Sequence, residues 1–306
     1  MNTNTKSNRV MKAMTGLSIF EFDQLVSDFE RELYLHRLNR SGRQRKPGGG
    51  IKGHLPDARA KLFFILFYIK TYPTFDVLGC LFGKSSGRSC EAVHLYLEIL
   101  EHGLGKKIQF PERRIKSVEE LFEKFPEAKD IFIDGTERPI QRPKRGKTNK
   151  RTYSGKKKTH TRKNVIISDE HKRIILVSPT KPGRRHDKRL ADRELLGEYV
   201  PPGVSSWCDS GFQGFKDKRP PGSTTFIAKR ATRNRPLTDA EKQENHTISH
   251  FRIVVEHAIG GIKRYRATSD RLRNKIGYFD DRVIRVAAGL WNYHLAFGPL
   301  DPSSTQ

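Results

Sequence analysis

Apolar residues recur at helical spacing between Ser18 and Phe29, where Phe22, Leu25, Val26 and Phe29 share one face and predict a helix. Residues 55–105 predict three more. The first, Asp57 to Lys70, is strongly apolar, with a nearly unbroken run from Leu62 to Ile69, and Thr71-Tyr72-Pro73 stops it. Thr74 caps the second, Phe75 to Phe82, and Gly83 ends it. Ser85-Ser86-Gly87-Arg88-Ser89 opens the third, which runs to about Glu101. Two helices joined by a tight glycine-containing turn, after a supporting helix, suit a helix-turn-helix, and any small helical bundle shows a similar pattern.

From about residue 128 the texture changes. Asp130-Ile131-Phe132-Ile133-Asp134 reads as a short apolar strand closed by a turn at Asp134-Gly135. Thr161–Ser168 and Arg173–Ser178 read as a hairpin joined by Asp169-Glu170-His171-Lys172. A helix over His186–Tyr199 follows, then strands at Ser205–Asp209 and Thr224–Ala228. A helical region runs from Thr238 to about Arg266, and Asp280–Ala296 forms a last amphipathic helix. That order predicts an α/β fold, a mixed sheet covered by helices, over residues 126–306, behind an all-α region over residues 1–125.

Charge narrows the partners. The 306 residues hold 59 Lys and Arg against 34 Asp and Glu, a formal net charge of +25. Self-repulsion at that level costs stability, and solubility does not require it, so a polyanion is expected. Nucleic acid is favoured over an anionic membrane, because no basic amphipathic helix or lipidation signal is visible. Leu62–Ile69 is too short to span a bilayer, which takes about 20 residues, and the polar start shows no secretory signal. Cys80, Cys90 and Cys208 form no pattern and point to a reducing, cytoplasmic compartment. Gln141–Lys163 carries eleven Lys or Arg, Lys156, Lys157 and Lys158 among them, and no acid. Arg37–Lys52, around Pro47-Gly48-Gly49-Gly50, reads equally as a solvated linker or as an arm onto DNA phosphate. The predicted third helix also carries Glu91, Glu98 and Glu101, so only its start, with Lys84, Ser86, Arg88 and Ser89, is a credible DNA reader.

Three acids stand out by position. Asp134 and Asp209 end apolar strands, where a sheet presents side chains to a cleft. Glu256 lies in a helix, and at about 100° per residue Arg252, Gly260 and Lys263 fall within roughly 40° of it. Phe251, Val254, Val255, Ala258 and Ile262 lie on the other side. Phosphodiester transfer needs an activated oxygen nucleophile and a stabilised leaving oxygen, and two divalent ions about 3.5–4 Å apart do both jobs. Mg²⁺ takes oxygen ligands, so a few carboxylates suffice. Each acid also has an ordinary reading: a turn at Asp134-Gly135, an Asx turn at Asp209, an Arg252–Glu256 pair on one helix. His246 and His250 have a zinc-like spacing without the rest of a zinc motif. His186-Asp187 reads as a helix start before a cleft residue, and Glu137 as a salt-bridge partner before a metal ligand. Trp207 and Trp291 read as core, and Lys263 and Arg264 equally as phosphate clamps or as a solvated face.

Ile131–Ile140, with Asp134-Gly135-Thr136-Glu137-Arg138, resembles the first acidic motif of bacterial insertion-sequence transposases of the DDE superfamily, the insertion-sequence-five-like group that is also similar to Harbinger-type nucleases. Trp207–Gly214, with Asp209, resembles the second motif, and Val255–Arg264, with Glu256, the third. Lys158–Ser168 and Pro182–Asp187 have comparable segments between the first two. The resemblance covers roughly residues 55–297, and the order and spacing of the motifs make it specific. It implies an RNase H-like domain in which Asp134, Asp209 and Glu256 hold two Mg²⁺, with Mn²⁺ able to substitute. It further implies strand cutting at the element's ends, attack of the freed 3′-OH on target DNA, and a homodimer on double-stranded DNA. A helix-turn-helix would bind the terminal inverted repeats, in a prokaryotic, nucleoid-associated setting. The alternatives are an inactive or domesticated DNA-binding protein, and a nuclease that cuts without joining.

Overall fold

A computed structural model describes residues 7–39, 53–114, 120, 123–144, 146–193, 200, 202–215, 222–233 and 235–298. In chain order the elements are α1 (Asn8–Thr15), α2 (Ile19–Leu38), α3 (Ala58–Thr71), α4 (Phe75–Phe82), α5 (Ser86–Lys107), β1 (Asp130–Pro139), α6 (Gly146–Thr152), β2 (Tyr153–Ser154) and β3 (Thr159–Asp169). They continue with β4 (Ile174–Val177), β5 (Lys181–Pro182), α7 (Asp187–Arg193), β6 (Ser205–Cys208), β7 (Thr224–Ile227), α8 (Asp239–Lys263), α9 (Arg266–Ser269) and α10 (Phe279–Phe297). Most of the basic loop expected over Arg37–Lys52, and the last residues of the helix expected to reach Tyr199, lie outside the described residues. The chain divides into two compact units: residues 1–110, 262–270 and 274–306, and residues 111–261 with 271–273. The first unit therefore gathers chain from both ends.

The first unit is helical, and burial decides its centre. Leu62 through Ile69 in α3 are all buried, and a helix that is apolar all round belongs inside a bundle. Each fully buried Leu or Phe contributes about 1.5–3 kcal/mol, more than the roughly 0.7 kcal/mol spread of ordinary helix propensities. Ser18 starts α2 with a capping box, its hydroxyl accepting from Glu21 N while the Glu21 carboxylate accepts from Ser18 N. The turn between α4 and α5 is tight: Gly83 has φ +68°, and Lys84 N donates to Gly79 O at 2.8 Å. A Cβ on Gly79 would stand 2.4 Å from Lys84 O, so the turn needs glycine there. Two acids of α5 are spoken for within this unit. Arg282 of α10 pairs with Glu98 at 3.1 Å and Glu101 at 3.0 Å, and Arg285 pairs with Glu101 at 2.6 Å.

The second unit holds a mixed sheet of strand order β2-β3-β1-β6-β7, with β4 and β5 also paired to β3. β1 pairs antiparallel with β3 and parallel with β6, and β6 pairs parallel with β7. With its flanking helices this architecture is consistent with an RNase H-like α/β fold. The expected hairpin is present as β3–β4, where the Asp169 carboxylate accepts from the backbone N–H groups of His171 and Arg173. One expectation needs correction: β1 does not close at Asp134-Gly135 but runs on to Pro139 against β3. Its continuation is polar yet buried, with Thr136 and Arg138 each 3% exposed and Arg138 bonded to Asn164 and Thr180. One cluster of buried side chains includes Ile131, Ile133, Val165, Ile167, Leu190, Cys208 and Phe212. Elsewhere Phe132, Trp207 and Phe226 sit in register on adjacent strands with their rings stacked.

Candidate active site

The parallel register sets the site. Ile133 on β1 lies opposite Cys208 on β6, and the next residues are Asp134 and Asp209. β6 stops at Cys208 while β1 continues, so the two acids follow directly where their parallel pairing ends. Crevices outside the carboxyl ends of strands are where open α/β sheets place ligands. The long helix α8 reaches the sheet through Phe251, whose ring stacks on Trp207 with centroids 4.4 Å apart. The following residue, Arg252, then has one guanidinium nitrogen 3.6 Å from Asp134 Oδ2 and the other 3.5 Å from Asp209 Oδ1. Its side chain is 11% exposed.

Those contacts are long for charge-assisted hydrogen bonds, which close to about 2.7–2.9 Å. One guanidinium spans the gap between two carboxylates and closes on neither. Burial pushes the Asp134 carboxyl above the usual carboxylate range. Arg252 and the Gly135 N–H oppose that shift, while the charges of Asp209 and Asp187 add to it.

Asp187, the first residue of α7, completes this crowd. A Cβ on Gly135 would stand 2.6 Å from Asp187 Oδ1, and one on Gly211 3.2 Å from Oδ2. The glycines after the two site aspartates thus leave room for a third carboxylate. Lys163 of β3 holds it, with Nζ 3.0 Å from Asp187, 3.1 Å from Glu137 and 3.0 Å from Arg185 O. Burial pulls the Lys163 ammonium down, and the two carboxylates more than offset it, so it stays above the usual lysine value. Burial likewise raises Glu137, but the Thr161 and Ser154 hydroxyls and Lys163 leave it lower than an ordinary glutamate. The salt bridge expected for Glu137 is therefore present. The sequence signal for the Lys163–Asp187 link was faint: an Asp at a helix start, and a Gly after each motif aspartate.

The third predicted acid, Glu256, lies on α8 one turn beyond Arg252 and is exposed. Among the described residues no group of three His, Cys, Asp or Glu side chains is assembled to hold a metal ion. Asp134 and Asp209 nonetheless fit a divalent cation by their chemistry. They are two hard oxygen donors, one on β1 and one directly after β6, already arranged about one positive charge.

The predicted DNA-binding residues fall in several places. Lys156, Lys157 and Lys158 are exposed on the turn between β2 and β3, Lys158 with φ +52°. Lys84 and Ser86 are half-buried and Arg88 is exposed around the start of α5, and Lys263 is exposed at the end of α8. Arg264 donates to Gly16 O at 2.6 Å and lies over the rings of Tyr265 and Trp291. Trp207 is buried as expected, whereas Trp291 is half-buried. No described helix is long and apolar enough to cross a membrane.

A family model of DDE superfamily endonucleases matches residues 133–292, more than half of the chain. The chain is also 29% identical, over 94% of its own length and 95% of the relative's, to the probable transposase for insertion sequence element IS702 of Microchaete diplosiphon. No solved structure matches. The family match, which spans more than half of the chain, establishes that this chain belongs to the DDE superfamily endonucleases.

Proposed function

We propose that this chain is the transposase of a bacterial insertion sequence, which cuts its element's ends and joins the freed 3′-OH to target DNA. The observation that carries the reading is the β1–β6 register, which brings Asp134 and Asp209 together beside one shared cation. The relative of matching length, a probable transposase, supports it.

Asp134, Asp209 and Glu256 would hold two Mg²⁺, or Mn²⁺ in their place. When bound, such a pair of ions supplies an activated oxygen nucleophile and stabilises the leaving oxygen of an in-line displacement. The chain's own residues do the rest. Arg252 releases the two aspartates and turns to the DNA phosphate. Glu256 follows on the same stripe of α8, since residues four apart on a helix are neighbours. Lys163 keeps Asp187 and Glu137 in place behind the acids. Lys84, Ser86 and Arg88, at the start of α5, read the terminal inverted repeats in double-stranded DNA. Pairing of Glu98 and Glu101 with Arg282 and Arg285 reduces their repulsion of phosphate. Lys156, Lys157, Lys158 and Lys263 add phosphate contacts without sequence preference. Synapsis of two ends requires a homodimer on DNA.

The test uses the full chain, labelled DNA carrying the element's end, and Mg²⁺. Wild type should cut the strand and join a pre-cut 3′-OH end to target DNA, and Asp209→Ala should do neither. Cutting by Asp209→Ala would overturn the reading. Cutting by wild type without joining would make the protein a nuclease.

A further inference from the structure

A concavity lies in the second unit, lined by residues that fall between Asp134 and Asp209 in the sequence. Its volume is about 800 Å³, within the roughly 300–1,000 Å³ typical of ligand sites. Arg151 of α6, Arg184, Arg185 and His186 of the segment after β5, and Arg189 and Asp192 of α7 line it. Four guanidinium groups face a single carboxylate among the described lining residues. Arg184 N donates to Arg151 O at 3.3 Å, which ties two walls together. Holding like charges around one hollow is unfavourable unless an anion shares it. Arginine forks match phosphate oxygens bidentately. No Phe, Tyr or Trp is among the described lining residues, so stacking on bases is not what the hollow offers. Its wall is also coupled to the acids. Arg185 O accepts from Lys163, and Asp187, the neighbour of His186, lies against Gly135 and Gly211.

We infer that this arginine-lined cavity binds the sugar–phosphate backbone of a single DNA strand led past Asp134 and Asp209. The inference rests on the transposase reading for the substrate of the acid site. An unpaired strand can bend its backbone into one hollow, whereas a stiff duplex holds its phosphates along the outside of a helix that does not bend over so short a span.

Fluorescence anisotropy of the full chain in EDTA tests it, with an oligothymidylate and a duplex of equal length as probes. Arg184→Glu/Arg189→Glu should weaken oligothymidylate binding about ten-fold or more and flatten its log–log salt slope by about 1.4, two contacts' worth, with duplex binding changed less than about three-fold. The control Lys12→Glu/Lys242→Glu, equal in charge change on exposed helix faces, should leave the preference for the single strand intact. Arg184→Ala/Arg189→Ala, a milder change, should show the same order with a smaller loss and an unchanged melting temperature. Equal weakening by the pocket and control pairs would overturn the inference, as would equal weakening of strand and duplex. This binding needs no metal and no catalysis, so it fails separately from the transposase reading, which falls if Asp209→Ala still cuts.

Discussion

Glu21 in the helical unit and the aspartate pair in the sheet unit are treated in opposite ways. Glu21 has donors of its own. Glu21 is bonded by His294 and by Ser18, and Asp28 pairs with Lys107 at 3.3 Å. Burial pushes Glu21 up, but those bonds outweigh it and hold its carboxyl below the usual range. In the sheet unit Asp134 and Asp209 share one guanidinium at long range, Asp187 presses close, and Asp134 is pushed up. The chain has 25 more basic than acidic side chains, so carboxylates are the scarce partner and cations are plentiful. Acids crowded together in such a chain are not explained by stability. Perturbed carboxylates of this kind gather at functional sites, where a ligand completes them.

The largest expected break in the comparison is catalytic. Asp209→Ala should lower metal-dependent DNA cleavage by roughly 10³-fold or more, while Glu21→Gln, in the other unit, should leave the rate per folded molecule unchanged in a gel-based cleavage assay. Next comes Lys163→Met, which takes the cation away from the buried Glu137 side chain and the half-buried Asp187. Losing one partner of a buried pair costs about 3–5 kcal/mol, so urea unfolding should show a fall of that size, and a neutral effect would show that the link carries no load. Ser18→Ala removes the α2 cap and should cost about 1 kcal/mol by the same method.

Titration sharpens the contrast without a large effect. Glu21 has a lowered folded pKa, so its stabilisation is present above the ordinary carboxylate range and is lost as pH falls through the folded value. Asp134 has a raised folded pKa, so its contribution is present at acid pH and lost as pH rises through the folded value. At neutral pH Glu21→Gln should therefore lower the melting temperature, and Asp134→Asn should not lower it. Both differences should shrink as the pH is taken below the carboxylate range. A clear loss of stability in Asp134→Asn at neutral pH would show that Arg252 pairs with it more firmly than the 3.6 Å contact implies.

Much of this was legible in the sequence where one physical signal dominated. Helical spacing with capping residues marked α2 through α5, and two apolar runs on either side of a polar turn marked the β3–β4 hairpin. The second half of β1 was not, because Thr136, Glu137 and Arg138 look like turn and surface residues and are buried only through partners elsewhere on the sheet. The gathering of α9 and α10 with the N-terminal helices depends on contacts such as Tyr293 OH to Glu21 O at 2.7 Å, between residues far apart in the chain. At the site, position picked out Asp134 and Asp209, but the helical spacing that put Arg252 beside Glu256 could not reveal that its guanidinium lies between the two aspartates.

In the proposed mechanism Asp134 and Asp209 together form a seat for a divalent cation. Isothermal titration of Mn²⁺ into the full chain without DNA tests it most directly. Wild type should bind Mn²⁺ saturably, Asp134→Asn and Asp209→Asn should each lose most of that affinity, and Arg252→Ala, where the competing guanidinium is gone, should bind more tightly. Unchanged Mn²⁺ affinity in the Asp134→Asn/Asp209→Asn double variant would contradict it.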